Sequence, residues 1–225
     1  MPVFELGNEL WFPSVDLSED DGLLAYGGDL NTERLLFAYK AGIFPWYSPP
    51  DPILWWSPDP RFVLFPERLK VSKTMRQILR KNIFKVTYDQ EFRTVMENCG
   101  LVPRKDQQGT WITDDMLDAY CDLHKKGLAH SVEVYLEDEL VGGLYGICIG
   151  QCFFGESMFS KVSNASKTGF ITMVTEMEKA GIRIIDCQVF TPHLESLGAE
   201  MIPRTQFLQI IHSGMNDSSV FTFKE

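Results

Sequence analysis

No stretch of this 225-residue chain reaches the roughly 18 consecutive apolar residues that a membrane-crossing helix needs. Its opening residues, MPVFELGNELWFPS, contain no basic region followed by an apolar run. The expectation is therefore a chain that stays in the cytoplasm, with no membrane partner. Histidine is scarce, and His124, His130 and His212 show no ligand spacing. The five cysteines, Cys99, Cys121, Cys148, Cys152 and Cys187, are odd in number and lie in predicted helices and strands, not in loops spaced for a metal. No metal site is expected, and a reducing compartment is. In an extended chain Cys148 and Cys152 would share one face of a sheet, as small core hydrophobes do. Internal repeats and low-complexity tracts are also missing. With 44% hydrophobic residues, the chain has enough apolar material for one large domain or two small ones.

Acidic residues are absent from one long segment of an otherwise acidic protein. The net charge is -10, yet Arg68 to Tyr88 holds seven Lys or Arg and no Asp or Glu, leaving -17 on the rest. An overall negative charge argues against nucleic acid, because phosphate neutralisation dominates such binding. A one-signed basic segment argues for a local phosphate-binding surface. Ser72 is placed to cap a helix there, with Met75, Ile78 and Leu79 on one side and Lys73, Arg76 and Arg80 on the other; Lys81 follows.

Punctuation organises the remainder. The first thirty residues show no clear period and end in the turn signal Gly27-Gly28-Asp29. A helix then runs from the N-cap Asn31 to a left-handed cap at Gly42. Six prolines and three tryptophans between Pro45 and Arg61 rule out a helix and predict a rigid loop punctuated by strands near Ile53 to Ser57 and Phe62 to Phe65. Further on we expect a strand at Phe84 to Tyr88, a helix opened by Asp89, a short strand at Thr110 to Ile112, and a helix opened by Thr113 and closed by Gly127. From Ser131 the pattern is three strands, a helix over about Asn164 to Ala180, a strand at Arg183 to Gln188, and a short helix opened by Thr191-Pro192.

That order resembles the fold of the GCN5-related N-acetyltransferases. Such a fold holds acetyl-CoA through a glycine-rich loop ahead of the long helix, where backbone N–H groups meet the pyrophosphate. The corresponding stretch here, Phe159 to Ser166, has no glycine. Acetyl-CoA is thus not the expected donor, and no cofactor is expected at all. Trp46, Trp111, Tyr39 and Tyr120 offer planar surfaces for an unpaired base, whereas Trp55 and Trp56 read better as core.

The segments GLLAYGGDL (from Gly22), AGIFPWYSPPDPILWWSPDPR (from Ala41), GTWI (from Gly109), LVGGLYG (from Leu140), GESMFS (from Gly155), NASKT (from Asn164) and IDCQV (from Ile185) resemble, in order, those of the leucyl/phenylalanyl-tRNA-protein transferases. This resemblance implies an α+β chain: a small N-terminal α+β domain, residues 1–62, joined to a GNAT-like C-terminal domain, residues 63–225. It implies transfer of Leu or Phe, less often Met, from aminoacyl-tRNA to acceptor proteins beginning with Arg or Lys, by a monomer. The terminal adenosine would meet Trp46 and Trp111, with Tyr39 and Tyr120 nearby. Leu144, Phe153, Met173 and Ile185 would form the aminoacyl side-chain pocket, and Lys73, Arg76, Arg80 and Lys81 would contact the tRNA stem. Glu156, Asp186 and Gln188 would align the acceptor amine and the ester.

Asp186 and Gln188 sit two apart on one strand and should face the same way, with Asp186 orienting the amine and Gln188 holding the geometry. Cys187 then points to the opposite face, where core packing explains it better than nucleophilic attack assisted by His193. Two other function classes fit less well. A small-molecule N-acyltransferase would need coenzyme A, and a non-catalytic adaptor for basic N-termini would have no use for the basic helix.

Overall fold

The computed structural model describes residues 3–102, 112–214 and 221–223. Its first part is a four-stranded sheet built from β1 (Phe4–Leu6), β2 (Leu23–Gly27), β3 (Phe44–Pro45) and β4 (Leu54–Trp56), in the order β1-β2-β4-β3. The first thirty residues thus contain two strands, each too short to show a period of its own. Between β2 and β3 lies α1 (Thr32–Lys40), capped by Asn31, whose side chain accepts the Arg34 N–H at 2.9 Å. Gly42 follows at φ 73°, the left-handed turn the sequence called for. Trp55 is fully buried and donates to the Gly27 carbonyl at 2.9 Å, a core anchor as read.

The larger sheet has seven strands in the order β11-β5-β10-β9-β8-β7-β6. In chain order these are β5 (Arg61–Leu64), β6 (Lys85–Tyr88), β7 (Ala129–Leu136), β8 (Glu139–Ile149), β9 (Cys152–Ser160), β10 (Ile184–Gln188) and β11 (Glu200–Ile202). β7, β8 and β9 form the expected antiparallel meander. β9 connects through α5 (Ala165–Lys179) to β10, which lies parallel to it, a crossover that places α5 on one face. The expected boundary between residues 62 and 63 falls inside β5, a strand of the larger sheet.

Each face of this sheet has its own core. Val132, Leu144, Phe153 and Ile185 pack against α5, α2 (Lys73–Arg80) and α6 (Pro192–Glu195). Tyr145, Ile147, Phe154 and Ile184 pack on the other side with α1, α3 (Phe92–Gly100), α4 (Asp114–Lys125), α7 (Arg204–Gly214) and the small sheet. Close approach of α5 depends on Gly142, where a Cβ would stand 2.8 Å from that of Ala165.

Several local expectations change. Helix α3 begins at Phe92, because Asp89 adopts φ 57° and turns its carboxylate to the Ser131 N–H (2.9 Å) and His130 (2.8 Å). Cys148 and Cys152 lie in different cores, since a hairpin turn at Gly150 separates them and the extended-chain count fails across it. Strand β11 and helix α7 were not anticipated. Thr110 and Trp111 of the expected short strand lie outside the described residues.

Candidate active site

β9 and β10 pair only through Cys152–Phe154 and Ile184–Asp186; beyond that they diverge. Two bulges mark the split. Tyr145 pairs with Ser157 and Gly146 with Gly155, leaving Glu156 unpaired, while Asp186 pairs with Val63 and Gln188 with Phe62, leaving Cys187 unpaired. A bulge breaks the alternation of a strand and re-aims the side chains beside it. Here both bulges turn polar groups toward a cavity of about 500 Å³. Its apolar wall includes Leu144, Phe153, Met158, Phe170, Ile185 and Leu194, and Phe44, Pro45 and Trp46 close it from the N-terminal side. Room for the Phe153 ring exists because residue 146 is glycine: a Cβ there would lie 2.5 Å from that ring.

Glu156 is one of two carboxylates on the cavity wall, the other being Asp186. Its Oε1 accepts from the Tyr39 hydroxyl at 2.8 Å and the Gln188 amide at 3.0 Å, and its Oε2 from the Tyr120 hydroxyl at 3.3 Å. The two tyrosine hydroxyls also bond to each other. Every partner is neutral, so no opposite charge balances the cost of burying the carboxylate. Burial pushes the Glu156 carboxyl up to about 8; the Asp186 charge adds to this, and the hydrogen bonds from Tyr39, Tyr120 and Gln188 oppose it. Burial, reinforced by Glu156, likewise raises both tyrosines well above the usual phenol range.

Asp186 lines the same cavity. It is fully buried, and Arg61, also fully buried, grips it through Nε at 2.8 Å and Nη2 at 2.6 Å. Oδ1 further accepts the Gln188 N–H at 2.9 Å, which holds Gln188 at φ 62° and sends its side chain to Glu156. Asp186 thus carries a compensating positive charge that Glu156 lacks, and it shapes the bulge that presents Gln188. Arg61 completes its bonding at the Gly42 carbonyl (3.1 Å) and stacks between the Phe44 and Phe207 rings, 4.7 and 4.8 Å from their centroids. Sequence reasoning missed Arg61, because nothing in DPR at the end of a proline-rich loop distinguishes a buried arginine from a surface one.

The other expected residues divide. Leu144, Phe153 and Ile185 line the cavity, but Met173 does not: it is fully buried between α5 and the sheet, and Phe170, one turn earlier, faces the cavity instead. Trp46 is on the wall, partly exposed, with Trp56 tilted against it at 5.8 Å. Tyr39 and Tyr120 are fully buried, so neither ring offers a face to a base; they hold Glu156. Trp111 lies outside the described residues. Lys73, Arg76, Arg80 and Lys81 are exposed on and just after α2, away from the cavity wall. Cys187 packs in the same apolar cluster as Ile185, at the cavity wall, and burial raises its thiol far above the range of a nucleophile. Among the described residues no group of three His, Cys, Asp or Glu side chains could hold a metal.

A split sheet that encloses an apolar pocket and a carboxylate, served by a crossover helix, defines an acyltransferase of the GNAT-like class. The solved structure of FemX shares the fold, at 10% identity and a TM-score of 0.51, over 80% of this chain and 71% of that one. The model of the leucyl/phenylalanyl-tRNA protein transferase family matches residues 63–212, and that of the family's N-terminal domain matches residues 28–59. The leucyl/phenylalanyl-tRNA–protein transferase of Flavobacterium johnsoniae is 54% identical over 94% of this chain and all of its own. That of Syntrophus aciditrophicus is also 54% identical, over 96% of this chain and 90% of its own. The chain belongs to the leucyl/phenylalanyl-tRNA protein transferase family.

Proposed function

We propose that this chain transfers Leu or Phe, less often Met, from aminoacyl-tRNA to the N-terminal Arg or Lys of acceptor proteins, marking them for N-degron degradation. The observation that carries this reading is Glu156, set at a bulge on the wall of an apolar cavity that Trp46 also lines. Leu144, Phe153, Phe170 and Ile185 suit a leucyl or phenylalanyl side chain. Trp46 suits the terminal adenine, and the exposed cations of α2 suit the stem phosphates. Residues 1–62 supply the Trp46 wall and residues 63–225 the pocket and carboxylate. The protein works as a monomer in the cytoplasm, where charged tRNA is found.

An aminoacyl ester is already activated, so an amine can attack it without ATP, metal or coenzyme. Positioning of two bound reactants is worth roughly 7 to 11 kcal/mol. A free α-amino group has a pKa of about 7.7 to 8.0, close to that of Glu156. A carboxylate raised in this direction is a better base toward an amine than an ordinary one, as general base catalysis requires. Glu156 takes the amine proton, Gln188 fixes Glu156, and the Arg61–Asp186 pair fixes Gln188. The test is incubation with labelled Leu-tRNA and peptides that begin with Arg or Ala. Leucine should appear on the Arg peptide alone; peptide binding without transfer would turn the reading toward an adaptor.

A further inference from the structure

One polar atom on the cavity wall has no part in the reading above, on which this inference rests. His193, in α6, lines the cavity beside Leu194, and its Nε2 is buried without a hydrogen-bond partner. The backbone that carries the ring is held in place. Thr191 caps α6 by accepting the Leu194 N–H at 3.2 Å, Pro192 fixes the first helical position, and the Ser196 hydroxyl donates to the His193 carbonyl at 2.6 Å. A buried, unmade hydrogen bond costs about 1 to 3 kcal/mol, and a binding cavity is where a ligand supplies the missing partner. Burial, with Lys167 of α5 beside it, holds the imidazole below its usual range, so at neutral pH it is uncharged.

We propose that His193 is a further catalytic residue: its Nε2–H donates a hydrogen bond to the carbonyl oxygen of the aminoacyl ester as negative charge develops there. When the amine attacks, a C–N bond forms and the carbonyl π pair moves onto oxygen. The C=O then reforms, the C–O bond to the ribose breaks, and the ribose oxygen leaves with the proton that Glu156 took from the amine. The intermediate is positive at nitrogen and negative at oxygen. The cavity wall offers groups suited to both, with Glu156 and Gln188 on β9 and β10 and His193 on α6. One of the two N–H donors of the Gln188 amide is already bonded to Glu156, whereas the buried Nε2 of His193 has no partner within the fold. A neutral imidazole serves as a donor without surrendering its proton.

Wild-type transfer of leucine is measured first; its absence overturns the proposed function and this inference together. Given transfer, His193→Ala and His193→Gln are compared in the full chain with Leu-tRNA and an Arg-starting peptide. Loss of one donor to an oxyanion lowers kcat by about 10²- to 10³-fold. We expect that loss for His193→Ala with KM for Leu-tRNA nearly unchanged, and recovery of about tenfold or more in His193→Gln, whose amide N–H replaces Nε2–H, at both pH 6.5 and pH 8.5. Gln as slow as Ala, a change in KM alone, or wild-type rates from Ala would each overturn the assignment. A second measurement needs no variant. The protein has four histidines, so its ring ¹⁵N spectrum is readable. A leucyl phosphonate ester of adenosine, which mimics the intermediate, should shift the His193 Nε2 signal, and a leucyl amide of 3′-aminoadenosine should shift it less. Equal shifts would overturn the proposal.

Discussion

Glu156 and Asp186 stand on adjoining strands, yet one accepts only from neutral donors and the other is clasped by a guanidinium. Glu156 accordingly binds its proton more tightly in the folded protein than in the unfolded chain, and stability follows from that sign. With a folded value of about 8 against an ordinary value near 4.5, its contribution is full at pH 4 and declines steadily as pH rises to 8. Glu156→Gln removes this slope. Its melting temperature should match wild type near pH 4.5 and exceed it by a few degrees at pH 8.5, which a series of thermal melts will show. The same variant should lose most of its transfer activity, together with the rise in wild-type rate between pH 7 and 8. For Trp46, replacement by alanine should weaken binding of a minimal aminoacyl-adenosine by about 1 to 3 kcal/mol, because a stacked base is lost. Phe at that position should recover much of the loss, and a defect confined to full-length tRNA would place the base elsewhere.

Elements tell a different story from residues, since most of them were legible in the sequence. Caps and glycine stops at Asn31, Gly42, Ser72, Thr113, Gly127 and Thr191 fall where they were read, because they act through bonds within a few residues. The two bulges were not legible, and neither was Arg61. A bulge depends on which residue of one strand lies opposite another far along the chain, and alternation within a strand cannot reveal it. Strand alternation puts Asp186 and Gln188 on one face, and it is silent on the extra residue between them that lets the Gln188 N–H bond Asp186 while its side chain reaches Glu156. Helix α2 was legible in both its buried Met75 and its exposed cations. Replacing Arg76 and Arg80 together by alanine should raise KM for Leu-tRNA and make the log–log salt dependence shallower by about 1 to 2. A short aminoacyl-adenosine donor should be unaffected, and an unchanged salt slope would remove tRNA from this helix.

Across the whole molecule, Arg61 joins parts that are remote in sequence: the Gly42 turn, Phe44 of the small sheet, Asp186 of β10 and Phe207 of α7. Buried ion pairs can often be exchanged for apolar side chains without loss of stability, while removal of one partner costs about 3 to 5 kcal/mol. Arg61→Met alone should thus be severely destabilised, and Arg61→Met with Asp186→Leu should regain much of its melting temperature. Activity should not return with it, because the Gln188 N–H has lost the acceptor that sets its conformation. A double variant that is both stable and active would reduce the pair to packing.

Helix α7 is anchored to the opening of the chain as well as to Arg61. Arg204 donates to the Ser57 carbonyl and to the Ser18 hydroxyl, at 2.8 Å for the latter, and its own N–H is accepted by Asp59 at 3.0 Å. Helix α7 is therefore a clasp: the same eleven residues that lay Phe207 against the buried guanidinium are fastened by Arg204 to Ser18, Ser57 and Asp59. Arg204→Ala should loosen the clasp without touching the cavity wall, lowering the melting temperature and making proteolytic cleavage near Ser18 faster, whereas an unchanged cleavage rate would show that Phe207 alone holds the helix in place.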